Sequence, residues 1–172
     1  GAAVMAGWLG AQELAAHNLA ITLASVTYMF AGGISAGSSI CVARAYGKNN
    51  TQNVKAYGVN GLKIGFVVTV LFAIIFYLFN NPLAALFTDE PAVLQIGAEL
   101  LFIAAVFQLS DGIQAISVGI LRGIEDVAMP SALIFIAYWI IAMPIGYYLS
   151  HYSSVDALYH GVNGIWIGLC IG

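Results

Sequence analysis

The chain has 172 residues, of which 61% are hydrophobic and only 8% are charged, and its formal net charge at pH 7 is −3. Soluble domains average about 25% charged residues, so this chain has too few charges to cover a water-facing surface. The composition therefore excludes an ordinary soluble domain and predicts an integral membrane protein. The five basic residues form no continuous stripe, which argues against nucleic-acid binding.

The sequence predicts that both ends continue into a longer protein. The apolar run at residues 1–9 is too short to cross a membrane, which takes about 20 residues. It also lacks the basic start of a signal peptide. At the other end, an apolar run begins near Val162 and reaches the last residue, Gly172.

Four longer apolar stretches predict membrane-spanning helices, at about residues 14–43, 56–79, 92–121 and 131–149. At about 1.5 Å per residue, each is long enough to cross a hydrocarbon layer of about 30 Å. The runs are unbroken rather than alternating, which disfavours a strand barrel. Pro130 fits the first turn of the fourth helix, and Pro144 predicts a kink inside it. The expected fold class is an all-α, polytopic transmembrane bundle.

The basic residues predict the orientation of these helices. The connections around Asp89-Glu90 and residues 151–160 contain no Lys or Arg. All the basic residues fall in or beside the other two connections, at 44–55 and 122–126: Arg44, Lys48, Lys55, Lys63 and Arg122. The positive-inside rule predicts that these two connections are cytoplasmic.

Asp111 is the most informative residue in the third predicted helix. A carboxylate at the bilayer centre costs roughly 2.5–3.5 kcal/mol on insertion scales, so it normally faces a wet cavity or a partner. Asp111 lies twelve residues after Glu99 and eleven before Arg122, which places it roughly 17 Å from each along a helix. Gln108 and Gln114 lie three residues away on either side, on the same helix face.

Two interpretations of this polar face remain open. One is a structural cluster in which Asp111 bonds to a neighbouring helix. The other is a site that binds a proton or Na⁺ in a water-accessible cavity and exchanges it for a cationic substrate. Glu99 is expected to be solvated near the outer interface, while Glu125 and Asp126 are expected to serve as loop or capping residues.

The remaining polar groups give no sign of a metal centre or a cofactor. Cys41 and Cys170 lie in apolar segments without metal-like spacing, so both are expected to be buried free thiols. Structural or interfacial roles are expected for His17, His151 and His160. Small-xxx-small spacing permits close contacts between helices, and we expect about half of the pairs with this spacing to make such contacts. The four pairs are Gly33/Gly37, Gly61/Gly65, Gly119/Gly123 and Gly168/Gly172.

An ordered set of short motifs runs along almost the whole chain. The motifs are GWLG (7–10), LAAHN (14–18), FQLSDGIQ (107–114), GILRG (119–123), AYW (137–139), PIGY (144–147) and the stretch 161–168. In this order they resemble the multidrug and toxic compound extrusion (MATE) family, and in particular its bacterial NorM-like branch.

The resemblance implies a twelve-helix transporter made of two six-helix lobes. The chain is similar to the second lobe, from the tail of helix 7 through helices 8–11 to the start of helix 12. The implied activity is antiport in the bacterial inner membrane, exporting cationic or amphipathic drugs in exchange for Na⁺ or H⁺. The implied partners are the lipid bilayer, the drugs, and the N-lobe and helix 7 of the same protein.

The resemblance also assigns roles to particular residues. Asp111 matches an acidic residue of the family's C-lobe cation site, whose partner glutamate belongs to the part of helix 7 outside this chain. Gln108 and Gln114 flank it. Further candidates for the substrate cavity are Asn18, Tyr28, Asp89, Glu90 and Phe107. The alternatives are simple packing for Tyr28 and a helix-entry turn for the Asp89-Glu90 pair.

Three other functions were weighed against antiport. A lipid-linked oligosaccharide flippase of the same superfamily is expected to carry more Arg and Lys in its cavity. A membrane-embedded enzyme needs a catalytic cluster, such as metal-spaced His and Asp, and the sequence offers none. The third alternative is a membrane fragment that transports nothing.

Overall fold

The structure, a computed structural model, describes residues 1–152 and 161–171. Helices and short turns account for all of these residues. The helices, in chain order, are α1 (Ala2–Leu9), α2 (Ala11–Gly47), α3 (Thr51–Leu78), α4 (Asn80–Ala85), α5 (Pro91–Gly123), α6 (Ala128–Phe135), a π-helical segment (Ile136–Ala142), α7 (Met143–Tyr152) and α8 (Val162–Ile171). The predicted all-α fold is confirmed.

Four stretches in the described part of the chain are long and apolar enough to cross a membrane: Ala11–Gly47, Thr51–Leu78, Pro91–Gly123 and Ala128–His151. They confirm the four predicted spans. Most ends reach beyond the predicted bounds, by as many as five residues. Apolar patterning marks only the part of a helix that meets hydrocarbon, whereas backbone hydrogen bonding continues the helix into the polar flanks.

Local polar groups fix where the long helices begin. The Asn50 side chain accepts a hydrogen bond from Asn53 N at 3.0 Å, which caps the start of α3. Asp126 Oδ1 accepts from Met129 N at 3.4 Å at the start of α6, in agreement with its expected capping role. Pro130 lies in the first turn of α6, as predicted.

The fourth span is irregular just before Pro144. Residues Ile136–Ala142 form a π-helical segment, and regular α-helix resumes at Met143. A proline inside a helix removes one backbone donor, and its ring crowds the preceding turn. The structure therefore places a change of helix type next to the predicted kink, and it puts Tyr138 inside the segment. Single π turns frequently occur at functional sites.

Helix α5 forms the centre of the bundle and packs against α2, α3, α4 and α8. Its Leu100, Leu101 and Ile116 side chains are fully buried, as is Trp166 of α8. Many large apolar side chains of α2, α3 and α6 point outward, among them Met29, Val67 and Leu133. An apolar exterior of this kind is expected of helices that contact lipid.

Glycines allow the closest helix approaches. A Cβ on Gly119 would lie 2.7 Å from Ser35 O, and one on Gly123 would lie 2.8 Å from Ser39 O, so α2 and α5 touch backbone to backbone. Gly61 and Gly65 of α3 likewise face Ser38 and Ile116. These two predicted pairs are confirmed.

The other two predicted glycine pairs have different outcomes. Gly33 and Gly37 make no close contact within the described part of the chain, since no atom lies within 4 Å of a Cβ placed on either residue, which agrees with the expectation that only about half of the pairs are real contacts. In the last pair, Gly168 packs against the backbone of Gly146, and Gly172 lies outside the described residues.

Candidate functional site: a carboxylate between two cavities

Asp111 lies in α5, half-buried, beside a cavity of about 440 Å³ between α2, α5 and the fourth span. The cavity extends along α5 from Asp111 to Arg122, a distance of roughly 17 Å at the helical rise. Its remaining polar lining comes from Tyr28, Ser35, Ser39, Gln114 and Tyr138. The cavity gives the carboxylate polar surroundings within a membrane-spanning helix.

Tyr138 is the direct partner of Asp111. Its hydroxyl donates to Asp111 Oδ1 at 3.1 Å and lies 3.5 Å from Gln114 Oε1. A hydrogen bond to a charged acceptor is stronger than one between neutral groups. Tyr138 belongs to the AYW motif (137–139) but was not among the predicted site residues. The only hint in the sequence that Tyr138 could be a site residue was its position, six residues before the proline inside the same span.

A second, much smaller pocket of about 10 Å³ lies on the other side of Asp111. We call it the Gln108 pocket, and it is lined by Thr27, Tyr28, Ala31, Thr69, Gln108, Asp111 and Gly112. Gln108 is only 4% exposed, and neither its Oε1 nor its Nε2 has a hydrogen-bond partner. Buried polar side-chain atoms without partners are uncommon, so Gln108 requires an explanation.

The predicted face of α5 is therefore divided between two cavities. Asp111 borders both, Gln114 lines only the larger one, and Gln108 lines only the smaller one. At 3.6 residues per turn, Gln108 and Gln114 point about 120° apart around the helix, with Asp111 midway between them. Tyr28 also lines both cavities, which brings this predicted residue to the carboxylate.

Asn18 and Glu90, two other substrate-cavity candidates, lie away from Asp111. They line a separate cavity of about 360 Å³ together with Thr22 and Val93. Glu90 Oε1 accepts a hydrogen bond from Gln12 Nε2 at 3.1 Å. Asp89 is exposed on the turn beside it. Both acidic residues immediately precede α5. Their positions therefore also fit the alternative role, that of a helix-entry turn.

Phe107 packs within the core. Its ring meets Trp166 of α8 edge to face, with the centroids 5.6 Å apart. This contact accounts for Phe107 as a packing residue, and its predicted place in the substrate cavity remains without structural support.

A second group of polar side chains joins α8 to α2 and α5. We call it the α8 anchor, and it consists of Glu13, His17, Glu99, Asn163 and Trp166. Trp166 Nε1 donates to His17 Nδ1 at 3.2 Å, Val162 N donates to Glu13 Oε2 at 3.0 Å, and Asn163 Nδ2 donates to Glu99 Oε2 at 3.1 Å. The structural role predicted for His17 agrees with its contact. Glu99 is exposed, as expected for a solvated residue, but it also accepts the hydrogen bond from Asn163.

The predictions for cysteine and histidine have mixed outcomes. Cys41 and Cys170 are free thiols, but Cys41 is exposed on the outside of α2, so its predicted burial is wrong. His151 Nδ1 lies 2.8 Å from Ser150 Oγ. His160 and most of the connection at 151–160 lie outside the described residues. Within the described ranges, His, Cys, Asp and Glu form no group of three suited to a metal ion.

Comparisons of the sequence with known proteins identify its relatives. The family model described as MatE matches residues 2–148. The multidrug resistance protein MdtK of Photorhabdus laumondii is 33% identical over 164 residues, which are 95% of this chain and 36% of the relative. The probable multidrug resistance protein NorM of Bacillus cereus is 35% identical over 159 residues, covering 92% of this chain and 34% of the relative.

Solved structures show the same fold. The outward-facing conformation of a multidrug resistance MATE family transporter aligns with a TM-score of 0.85 at 20% identity, covering 99% of this chain and 37% of that one. An inward-facing conformation aligns with a TM-score of 0.79 at 21% identity, covering 99% and 38%. The chain thus spans little more than a third of the length of these proteins. The match of the family model over residues 2–148, with which the helical fold agrees, shows that the chain belongs to the MatE family of membrane transporters.

Proposed function

We propose that this chain is part of the C-lobe of a secondary active multidrug antiporter. In this assignment, α1 is the tail of helix 7, and α2, α3 and α5 are helices 8, 9 and 10. The fourth span is helix 11, and α8 is the start of helix 12. The assignment is supported by the order of the family motifs and by relatives that are named as multidrug resistance proteins.

One observation carries the proposal: Asp111 lies in a membrane span, borders a cavity of about 440 Å³, and is bonded to a hydroxyl on another span. A carboxylate at this depth is costly, and such residues typically mark an ion or substrate pathway. Near Asp111, the side chains of Tyr28, Gln114 and Tyr138 offer oxygen atoms, which suit a proton, a hard cation or a cationic drug, while the basic Arg122 lines the cavity eleven residues further along α5.

The Asp111–Tyr138 hydrogen bond provides a coupling mechanism. While Asp111 is ionised, its charge holds the Tyr138 hydroxyl and thereby holds the fourth span against α5. Binding of H⁺ or Na⁺ neutralises the carboxylate and weakens this bond. The helix arrangement that contains this bond then becomes less stable than the arrangement without it. A ligand drives a conformational change only when it changes the relative stability of two such arrangements. Alternation between the two arrangements moves the drug outward.

The proposed substrates are cationic or amphipathic compounds. Asp111 supplies the negative charge, and the half-exposed ring of Tyr28, at the same cavity, offers an aromatic face to a cation. Asn18, Asp89 and Glu90 are proposed to form a second contact region, because Asn18 and Glu90 share a cavity of their own.

The Asp111→Asn variant of the transporter that carries this chain tests the proposal. We expect ion-driven ethidium or norfloxacin efflux in pump-deficient cells to fall by at least about tenfold, because interactions with a charged partner contribute about 1.5–3 kcal/mol. The matched control is Glu125→Gln in the exposed turn before α6, which should leave efflux unchanged. Efflux by Asp111→Asn with its rate and ion dependence intact would contradict the proposal.

The proposed orientation places the connections at 44–55 and 122–126 in the cytoplasm of a bacterial inner membrane. It can be tested in a background in which Cys41 and Cys170 are replaced by serine. Lys48→Cys should react with a membrane-impermeant maleimide only in inside-out vesicles, and Glu90→Cys only in right-side-out vesicles. The reverse pattern would disprove the orientation.

A further inference from the structure

We infer that a groove on the outside of the bundle, between α3 and α5, binds an anionic phospholipid, with an acyl chain in the groove and the phosphate at Lys63. We call it the Lys63 groove. It measures about 560 Å³ and is lined by Val59, Leu62, Lys63, Phe66, Val67 and Ile113. The inference goes beyond the proposed function and does not involve Asp111. Only the placing of the lipid in the cytoplasmic leaflet rests on the proposed orientation.

The walls of the Lys63 groove are apolar, and Lys63 is the one charged residue among those that line it. Val59, Phe66 and Val67 are between 40% and 65% exposed, so the groove opens to the surroundings of the bundle. Large exposed apolar patches mark sites of contact with a membrane or another protein. An acyl chain is chemically matched to such walls.

The groove lies on the far side of α5 from the Asp111 cavity. Ile113 follows Asp111 by two residues, so the two side chains point about 200° apart around the helix. The residues that line the groove and those that line the larger cavity form two separate sets. This position disfavours a drug compartment and favours contact with lipid.

Helix contacts fix the depth of Lys63. A Cβ on Gly58 would lie 3.3 Å from the Ile120 side chain, and Gly65 faces Ile116. Lys63 therefore lies level with the stretch of α5 between Ile116 and Ile120, roughly 5–10 Å before the end of that helix. The flexible four-carbon stem of a lysine can lie along apolar walls while its ammonium group reaches toward the membrane surface.

The charge of Lys63 favours an anionic occupant. A lysine is costly in hydrocarbon, and among the described residues no acidic side chain lines the groove. Lys55, two turns earlier on α3, lies about 12 Å nearer the start of the helix and about 80° from Lys63 around its axis. A phosphate at Lys63 would thus have a second cation nearby. Basic pockets between membrane helices on the cytoplasmic side bind the head groups of anionic lipids.

The test is native mass spectrometry of the purified transporter that carries this chain, titrated in detergent with dioleoylphosphatidylglycerol. We expect Lys63→Gln to lower the apparent affinity for the first bound lipid by about fivefold, the contribution of one basic residue near a membrane surface. Lys63→Arg keeps the charge and should bind this lipid as the unaltered protein does. Dioleoylphosphatidylcholine, which has no net charge, should bind more weakly and should not respond to Lys63→Gln.

Two further comparisons separate the groove from general effects. Lys48→Gln, in the turn between α2 and α3, removes the same charge outside the groove and should leave lipid affinity unchanged. Val67→Trp fills the groove and should weaken binding of both lipids although Lys63 is still present. Its control is Leu133→Trp at another outward-facing position, on α6, which should bind both lipids normally.

The inference is overturned if Lys63→Gln binds dioleoylphosphatidylglycerol as tightly as the unaltered transporter, the result expected if another part of the protein covers the groove. It is also overturned if Lys48→Gln lowers the affinity as much as Lys63→Gln, because binding then follows net charge alone. The proposed function survives both outcomes, since its own test, efflux by Asp111→Asn, concerns the opposite face of α5.

Discussion

The Asp111 site and the α8 anchor are two polar regions of one apolar bundle, and they differ in how their polar atoms are satisfied. In the α8 anchor, Trp166 bonds to His17, Asn163 to Glu99, and the first N–H of α8 to Glu13. At the Asp111 site, the carboxylate has one direct partner, Tyr138, and Gln108 has none. Most polar side-chain atoms of the α8 anchor thus have hydrogen-bond partners within the protein, whereas the Asp111 site leaves polar atoms facing cavities.

This difference separates two uses of polar residues in a membrane protein. Hydrogen bonds between helices stabilise a bundle when both partners come from the protein. Polar atoms that border a cavity without a protein partner are available to a ligand. The α8 anchor still has one buried atom without a hydrogen-bond partner, Asn163 Oδ1. The two regions therefore differ in how many of their polar atoms are paired and in whether those atoms border a cavity.

Truncation of the anchor should have the largest effect on folding. Trp166→Ala removes a fully buried ring that packs on Phe107 and bonds to His17, and we expect a loss of about 3–5 kcal/mol of stability. Thermal unfolding in detergent measures it, and ion-driven efflux per folded molecule should stay unchanged. Trp139→Ala, at an outward-facing ring, is the control and should cost far less. A large loss of ion-driven efflux by folded Trp166→Ala would show that the two regions are not separable.

A smaller effect, with opposite signs in the two regions, is expected when each buried amide is replaced by leucine. Gln108→Leu removes two unsatisfied atoms at similar size, so it should raise the stability of the ion-free protein by about 1 kcal/mol while weakening ion-driven efflux. Asn163→Leu deprives Glu99 of its partner and should destabilise the protein by a similar amount, with ion-driven efflux per folded molecule unaffected. Shifts of the same sign in both variants would remove the distinction between the anchor and the site.

Much of the fold was predictable because it depends on local patterns. The four spans follow from run length, and Pro130 and Pro144 marked the start and the irregular part of the fourth. Asp111 could be singled out because its cost in hydrocarbon is independent of its neighbours. The spacing of Gln108, Asp111 and Gln114 predicted a shared face, but not that this face would border two cavities.

The partners of these residues were not predictable in the same way. Tyr138 lies 27 residues from Asp111, and Trp166 lies 149 residues from His17. Thr27 and Thr69 gave no signal, because a threonine bonded to its own helix is ordinary in a membrane span. Only the crossing of α2, α3 and α5 brings their oxygens together.

The sequence by itself determined that this is a membrane-spanning helical protein of the MatE family, with a costly carboxylate at mid-span. The length of an apolar run and the free-energy cost of a charge in hydrocarbon depend on single segments of the chain, so both can be inferred from the sequence without knowing the fold. The tertiary structure alone decided that Tyr138 holds Asp111, that Gln108 is left without a partner, and that His17 serves the α8 anchor. These outcomes depend on which helix faces meet, and close packing at residues such as Gly112 and Gly119 fixes that choice across long sequence separations.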